Sequence, residues 1–235
     1  MNRKEIKQLA HERMSGNYGL AILAMILLFL VGIGATTFGF FIGAVIVAGA
    51  VICCMKMFYL DMARKEAKGV DSIYRGFNRL FQSLKVYLWL LLFAFAFVMA
   101  VTILMVLVAM LFAKIESDFL MLIIFAIIII GSIVAGIILY CRLSLSFYVL
   151  CDSDSSVRAL DCIKESVRIT KGKVLKLIVF ELSFILWNIG VIFTLGALSL
   201  YVQPYYETAK AILYRDVAGK SQDSEVVEEV AAETV

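Results

Sequence analysis

Proline is almost absent from this chain: the only one is Pro204, in the stretch YVQPYYETAK. Histidine is as rare, with His11 alone, and the five cysteines form no C-x-x-C pair. A zinc site cannot be assembled from such a set. Cys53, Cys54, Cys141, Cys151 and Cys162 therefore read as small apolar fillers with free thiols, and His11 as a solvated residue on the polar side of an N-terminal helix. Charge is also scarce, at 17% of residues, against about 25% in soluble domains. A net charge of +3 with no aromatic-basic platform argues against a nucleic-acid partner. No phosphate-binding loop, dinucleotide fingerprint, nucleophile elbow or H-E-x-x-H helix occurs. The chain therefore offers no catalytic residue, cofactor site or metal site, and we do not expect an enzyme.

What is there is apolar: 63% of the residues are hydrophobic, too much for a soluble fold to hide. The bilayer must be the solvent. A helix crosses its hydrocarbon core with about 20 apolar residues. The block from Tyr18 to Met57 is long enough for two crossings, with a turn expected in the Gly/Thr-rich residues 33–37. The spans then fall at about 18–34, 38–57, 86–112, 119–141, 175–193 and 197–214. Thr194-Leu195-Gly196 forms the last turn, and AKIESD at 113–118 a short charged loop. The fold class expected is an all-α integral membrane protein, a single polytopic domain over 1–217. The acidic tail 218–235 lacks a sustained apolar face and is expected to be disordered. No cleavable signal peptide is expected, because the first apolar run follows a charged lead and meets no small-residue cleavage site.

Lys and Arg collect in cytoplasmic loops. With six spans and both termini inside, the basic residues before span one, between spans two and three, between four and five, and after six all share one side; only Lys114 falls outside. A five-span arrangement would strand Lys210, Arg215 and Lys220 on the wrong face. The outer loops are too short for an extracellular module. Anionic lipid headgroups are the expected partners of the cytoplasmic Lys and Arg, with a membrane or cytoplasmic protein partner as a further possibility.

The spans also repeat. Before each pair lies a segment with one apolar face: Ile6, Leu9, Ala10 and Met14; then Ile73, Phe77, Leu80, Phe81 and Leu84; then Leu160, Ile163, Val167 and Val174. A polar or glycine break separates each from its span, at Ser15-Gly16-Asn17, Gln82-Ser83 and Lys171-Gly172. The returning spans end alike, with Phe58-Tyr59 before Asp61, Phe147-Tyr148 before Asp152, and Leu213-Tyr214 before Asp216. We read three helical hairpins, each preceded by an amphipathic helix in the headgroup plane.

Polar groups within the spans are the candidate site. Glu181, five residues past Lys176, sits about 7–8 Å below the headgroups at a rise of about 1.5 Å per residue. Asn188 follows seven residues later, on the same helix face. Gln203, Glu207 and the candidate kink at Pro204 lie in the last span, where Glu207 is spaced to pair with Lys210 at i+3. Such groups usually face a bundle interior. They either hydrogen-bond between helices, at about 0.6 kcal/mol per contact, or form a small polar path of Glu181, Asn188, Gln203 and Glu207. Gly43, Ala44, Ala48 and Gly49, and likewise Gly131, Ala135 and Gly136, point to close helix packing.

MNRKEIKQLAHERMSGNYGLAILA at the start, FYLDMARKEAKGVDSIYRGF in the middle and ESVRITKGKVLKLIVFELSFILW…TLG…PYYETA near the end resemble the bacterial membrane family called domain of unknown function 975. The resemblance covers about residues 1–217. It implies a multi-span protein of the bacterial cytoplasmic membrane and brings no activity or catalytic residue. Two functions fit the residues: a non-enzymatic scaffold, accessory or regulatory component, or a small permease or lipid-handling transporter using the polar residues of the last hairpin. Sparse intramembrane charge favours the first.

Overall fold

The computed structural model describes residues 1–66, 71–112, 118–153 and 157–220. Most of the AKIESD loop and of the acidic tail lies outside them. Among the described residues every regular element is helical. An N-terminal helix, α1 (Arg3–Met14), leads into α2 (Tyr18–Ala63) through Gly16, whose φ of +84° only glycine adopts without strain. If straight, the 46 residues of α2 would extend about 69 Å. Instead the Tyr59 hydroxyl donates to the Ala21 carbonyl at 3.2 Å. The segment is therefore a hairpin whose legs, Tyr18–Ala35 and Val45–Ala63, lie side by side. The first leg is still helical at the expected turn, where Thr37 Oγ1 donates to the Ile33 carbonyl, so the reversal comes later.

A short helix, α3 (Asp71–Tyr74), and a 3₁₀ turn (Arg75–Arg79) run directly into α4 (Leu80–Phe112). The break expected at Gln82-Ser83 is absent: Ser83 is helical, and its hydroxyl returns to the Leu80 carbonyl. Next come α5 (Asp118–Leu143), α6 (Ser146–Asp152) and α7 (Ala159–Thr170). Gly172, at φ +77°, turns α7 into α8 (Val174–Leu182). The expected span 175–193 is two helices, α8 and α9 (Ile185–Phe193), interrupted at Ser183-Phe184. The chain turns again at Thr194–Gly196, with Leu195 and Gly196 at positive φ, into α10 (Ser199–Val217).

Among the described residues five segments are long and apolar enough to cross a membrane: Tyr18–Ala35, Val45–Ala63, Arg75–Leu111, Leu120–Asp152 and Val174–Phe193. The sixth expected span, α10, is not among them. Glu207, Lys210, Arg215 and Asp216 dilute its apolar run, and most of its residues from Glu207 onward are buried in protein.

Burial is concentrated at the end of the molecule that carries the basic residues. Tyr59, Tyr148, Phe58, Phe180 and Phe184 are fully buried there. The far parts of α4 and α5 are exposed on most sides, as at Phe95, Val98, Ile127 and Ile130. The short segments seal the packed end. α1 packs on α10, the 3₁₀ turn packs on the second leg of α2, and α7 packs on α6. The approach at the 3₁₀ turn is so close that a Cβ on Gly76 would stand 2.5 Å from the Cys54 backbone nitrogen. Gly49 meets the Ser83 backbone in the same way, whereas Gly131 faces open space. The apolar residues Ile6, Ala10 and Met14 of α1, and Cys162 and Ile163 of α7, are thus covered by protein rather than turned to lipid.

Candidate functional site: buried ion pairs along α10

α10 delivers Tyr206, Glu207 and Lys210 to two faces of the packed core within little more than one helical turn. On one face the Lys210 ammonium donates to Glu181 of α8 at 2.8 Å, to the Tyr206 hydroxyl at 2.8 Å and to the Tyr140 hydroxyl of α5 at 3.2 Å. The Tyr206 hydroxyl donates in turn to the Glu181 carboxylate at 2.8 Å. On the other face the Glu207 carboxylate accepts from Lys56 of α2 at 2.6 Å and from the Tyr148 hydroxyl of α6 at 3.0 Å. Both α10 charges are nearly excluded from solvent, with Glu207 and Lys210 each 4% exposed. The i+3 pair expected between them does not form. Each reaches a partner on another helix, and α10 is thereby fastened to α2, α5, α6 and α8.

A second tier lies nearer the basic end. Asp152 pairs with Arg64, with Lys220 at 2.7 Å and with the Tyr214 hydroxyl at 2.9 Å. Asp61 accepts from Arg75 at 2.8 Å. Asp216 pairs with Lys176 and with the N-terminal ammonium, the latter at 2.9 Å. Burial alone would raise the pKa of Asp216, but the hydrogen bonds and positive charges of Lys176 and the N-terminus outweigh it and hold the carboxyl below its ordinary value.

Of the four polar residues expected together, Glu181 and Glu207 join this network. Asn188 is exposed on α9, none of whose residues is buried, and the interruption at Ser183-Phe184 separates it from the helix that carries Glu181. Gln203 lines a different space, an apolar cavity of about 870 Å³ between the two legs of α2, the start of α10, and Tyr87 and Leu91 of α4. Neither Glu181 nor Glu207 lines that cavity. α10 runs unbroken through Pro204, and Thr208 Oγ1 donates back to the Pro204 carbonyl at 2.9 Å.

The residues that reading by sequence overlooked are Lys56, Tyr140, Tyr148 and Tyr206. Lys56 had a signal: it interrupts the apolar run VICCMKMFYL well before the helix ends at Ala63. The tyrosines had none, since nothing local separates a tyrosine that bonds a buried carboxylate from one at an interface. Among the described residues no three His, Cys, Asp or Glu side chains gather as metal ligands. His11 Nδ1 lies 3.2 Å from the Tyr18 hydroxyl on the exposed side of α1.

This arrangement fastens helices together. Every carboxylate in it meets a cation and, in the pairs along α10, a tyrosine hydroxyl. The chain belongs to the family described as "Protein of unknown function (DUF975)", which matches residues 1–221. No curated protein and no solved structure shows significant similarity to it.

Proposed function

We propose that this chain is a non-enzymatic scaffold or accessory component of the bacterial cytoplasmic membrane, with both termini in the cytoplasm. One observation carries the reading: Glu181 and Glu207, the acids a solute or proton path would need, are each paired with a lysine and a tyrosine. Orientation rests on the basic residues, which sit at the packed end and would meet the cytoplasmic leaflet. The packing of the short segments also supports three repeated units. Each segment lies on the returning helix of the unit before it, and α1 lies on the last, so the units close as a ring.

A second reading, lipid handling, is favoured by the 870 Å³ apolar cavity beside Gln203, which is of a size to take acyl chains. One experiment separates the two. The protein is purified in mild detergent, and the protein and lipid that accompany it are quantified for wild type, Glu181→Gln and Gln203→Leu. A stoichiometric protein partner retained by both variants is the expected result. A stoichiometric lipid lost in Gln203→Leu, together with loss of lipid transfer between liposomes, would replace the scaffold with the lipid reading.

A further inference from the structure

α4 has 33 residues and is about 50 Å long, whereas the hydrocarbon core is only about 30 Å thick. About 20 Å of it therefore exceeds the core, and Lys85 in its second turn marks the start of α4 as an end that stands in the headgroup layer. A groove of about 410 Å³ opens at that level, between the start of α4 and the start of α7. Its rim carries Lys85, Arg158 and Lys164 against a single acid, Asp161. Asp161 is engaged by Arg158 at 3.0 Å, while both lysines are exposed and have no counter-ion among the described residues. The back wall is apolar and includes Trp89 and Leu160. Just beyond Trp89, Leu92, Phe93 and Ala96 on the same side of α4 are exposed, so the apolar wall continues into a face suited to acyl chains.

We infer that this groove binds an anionic phospholipid of the surrounding bilayer, its phosphate between Lys85 and Lys164 and its upper acyl chain along Trp89. The chemistry is complementary at each level. Ammonium groups form short charge-assisted hydrogen bonds to phosphate oxygens. A tryptophan at the headgroup boundary offers an apolar ring with one polar edge. The site is distinct from the α10 network, whose lysines are already consumed by Glu181 and Glu207. The inference rests on reading the chain as membrane-crossing, with its basic end at the headgroups.

The test uses the protein's two tryptophans, Trp89 and Trp187. Trp187→Phe leaves only Trp89 as the emitter. That variant is reconstituted in vesicles containing equal fractions of either phosphatidylglycerol or phosphatidylcholine, brominated at shallow acyl positions. We expect Trp89 to be quenched by both, with an apparent affinity about fivefold higher for phosphatidylglycerol per lysine engaged, the effect of one basic residue near an anionic surface. Raising the salt, or combining Lys85→Gln with Lys164→Gln, should remove the preference; Lys4→Gln should not. Trp89→Phe, which leaves Trp187 on α9, should show no preference. Equal quenching of Trp89 by the two lipids, or a preference that survives loss of both lysines, overturns the lipid site. No quenching of either tryptophan by either lipid would instead overturn the membrane reading itself.

Discussion

The two ends of this molecule are built for different surroundings. At the basic end, helices from every part of the chain meet in a core that buries tyrosines, phenylalanines and paired charges. At the far end, α4 and α5 run on as apolar rods, with Phe95, Ile127 and Ile130 about 60% exposed. Cohesion follows solvent. Apolar side chains have no hydrophobic drive toward each other when the alternative neighbour is a lipid tail, so the far end has less reason to pack. The basic end, in or near water, is held by burial of apolar surface and by charges that cannot be left unpaired. The polar groups inside the core are therefore best understood as clasps between helices.

The sharpest way to break the contrast is to open one clasp. Replacing Lys56 with Met strands the buried Glu207 carboxylate, and replacing Glu207 with Leu leaves the half-buried Lys56 ammonium unpaired; removing one partner of a buried pair costs up to about 3–5 kcal/mol. Glu207→Leu and Lys56→Met should each fall sharply in folded yield and in thermal stability in detergent. The double variant should recover most of the loss, because a well-packed apolar pair is often as stable as the ion pair it replaces. No recovery in the double variant would mean that the Tyr148 hydroxyl or the surrounding packing, rather than the unpaired charge, dominates the cost. A smaller loss should follow from Gly76→Ala. Its Cβ would meet backbone, which has little room to yield, and such overpacking costs about 1–3 kcal/mol. Gly131→Ala, into open space on α5, should be neutral or slightly stabilising, and the pair of melting curves tests the contrast between ends directly.

Much of this was legible in the sequence and some was not, for identifiable reasons. The long apolar runs give helices over the expected regions, and Gly16, Gly172 and Gly196 mark real turns, because left-handed backbone has a strong residue preference. The partners of Glu207 and Lys210 could not be read. Their spacing at i+3 satisfies a local rule, but lysine and glutamate side chains are long enough to choose a neighbouring helix, and tertiary packing decided. Asn188 shows the same limit. Its position seven residues after Glu181 fixes a shared face only if the helix is continuous, and nothing in Leu-Ser-Phe-Ile announces the interruption there. The apolar faces of α1 and α7 were expected to rest on lipid and are covered by protein instead, since amphipathicity says that a face is covered without saying by what.

Acid should loosen the packed end by a modest amount. Asp216 is held below its ordinary pKa by Lys176 and the N-terminal ammonium. A carboxyl shifted in this direction contributes stability that is fully present above its unfolded value of about 3.9, and loses it as pH falls through the lower folded value. Wild type should therefore be more stable than Asp216→Asn at neutral pH, and the gap should narrow as pH falls below the unfolded value of about 3.9. Melting temperatures of the two proteins across that range measure it. A gap that is constant with pH would show that Asp216 acts by shape and hydrogen bonding rather than by charge.

The smallest effect is expected at the far end, and it tests the comparison most searchingly. Ile130 on α5 is 62% exposed. If lipid tails are its neighbours, truncation to Ala removes a side chain that has the same surroundings whether or not the helices are assembled. The cost should stay within about 0.5 kcal/mol, the range of substitutions away from packed features. Phe180→Ala, in the packed core, should cost about 3–5 kcal/mol by the same assay. A loss at Ile130 approaching that of Phe180 would contradict the idea of an unpacked rod. It would mean that α5 is covered by another polypeptide in the membrane, and a scaffold that holds a partner along α5 would then have its contact face located.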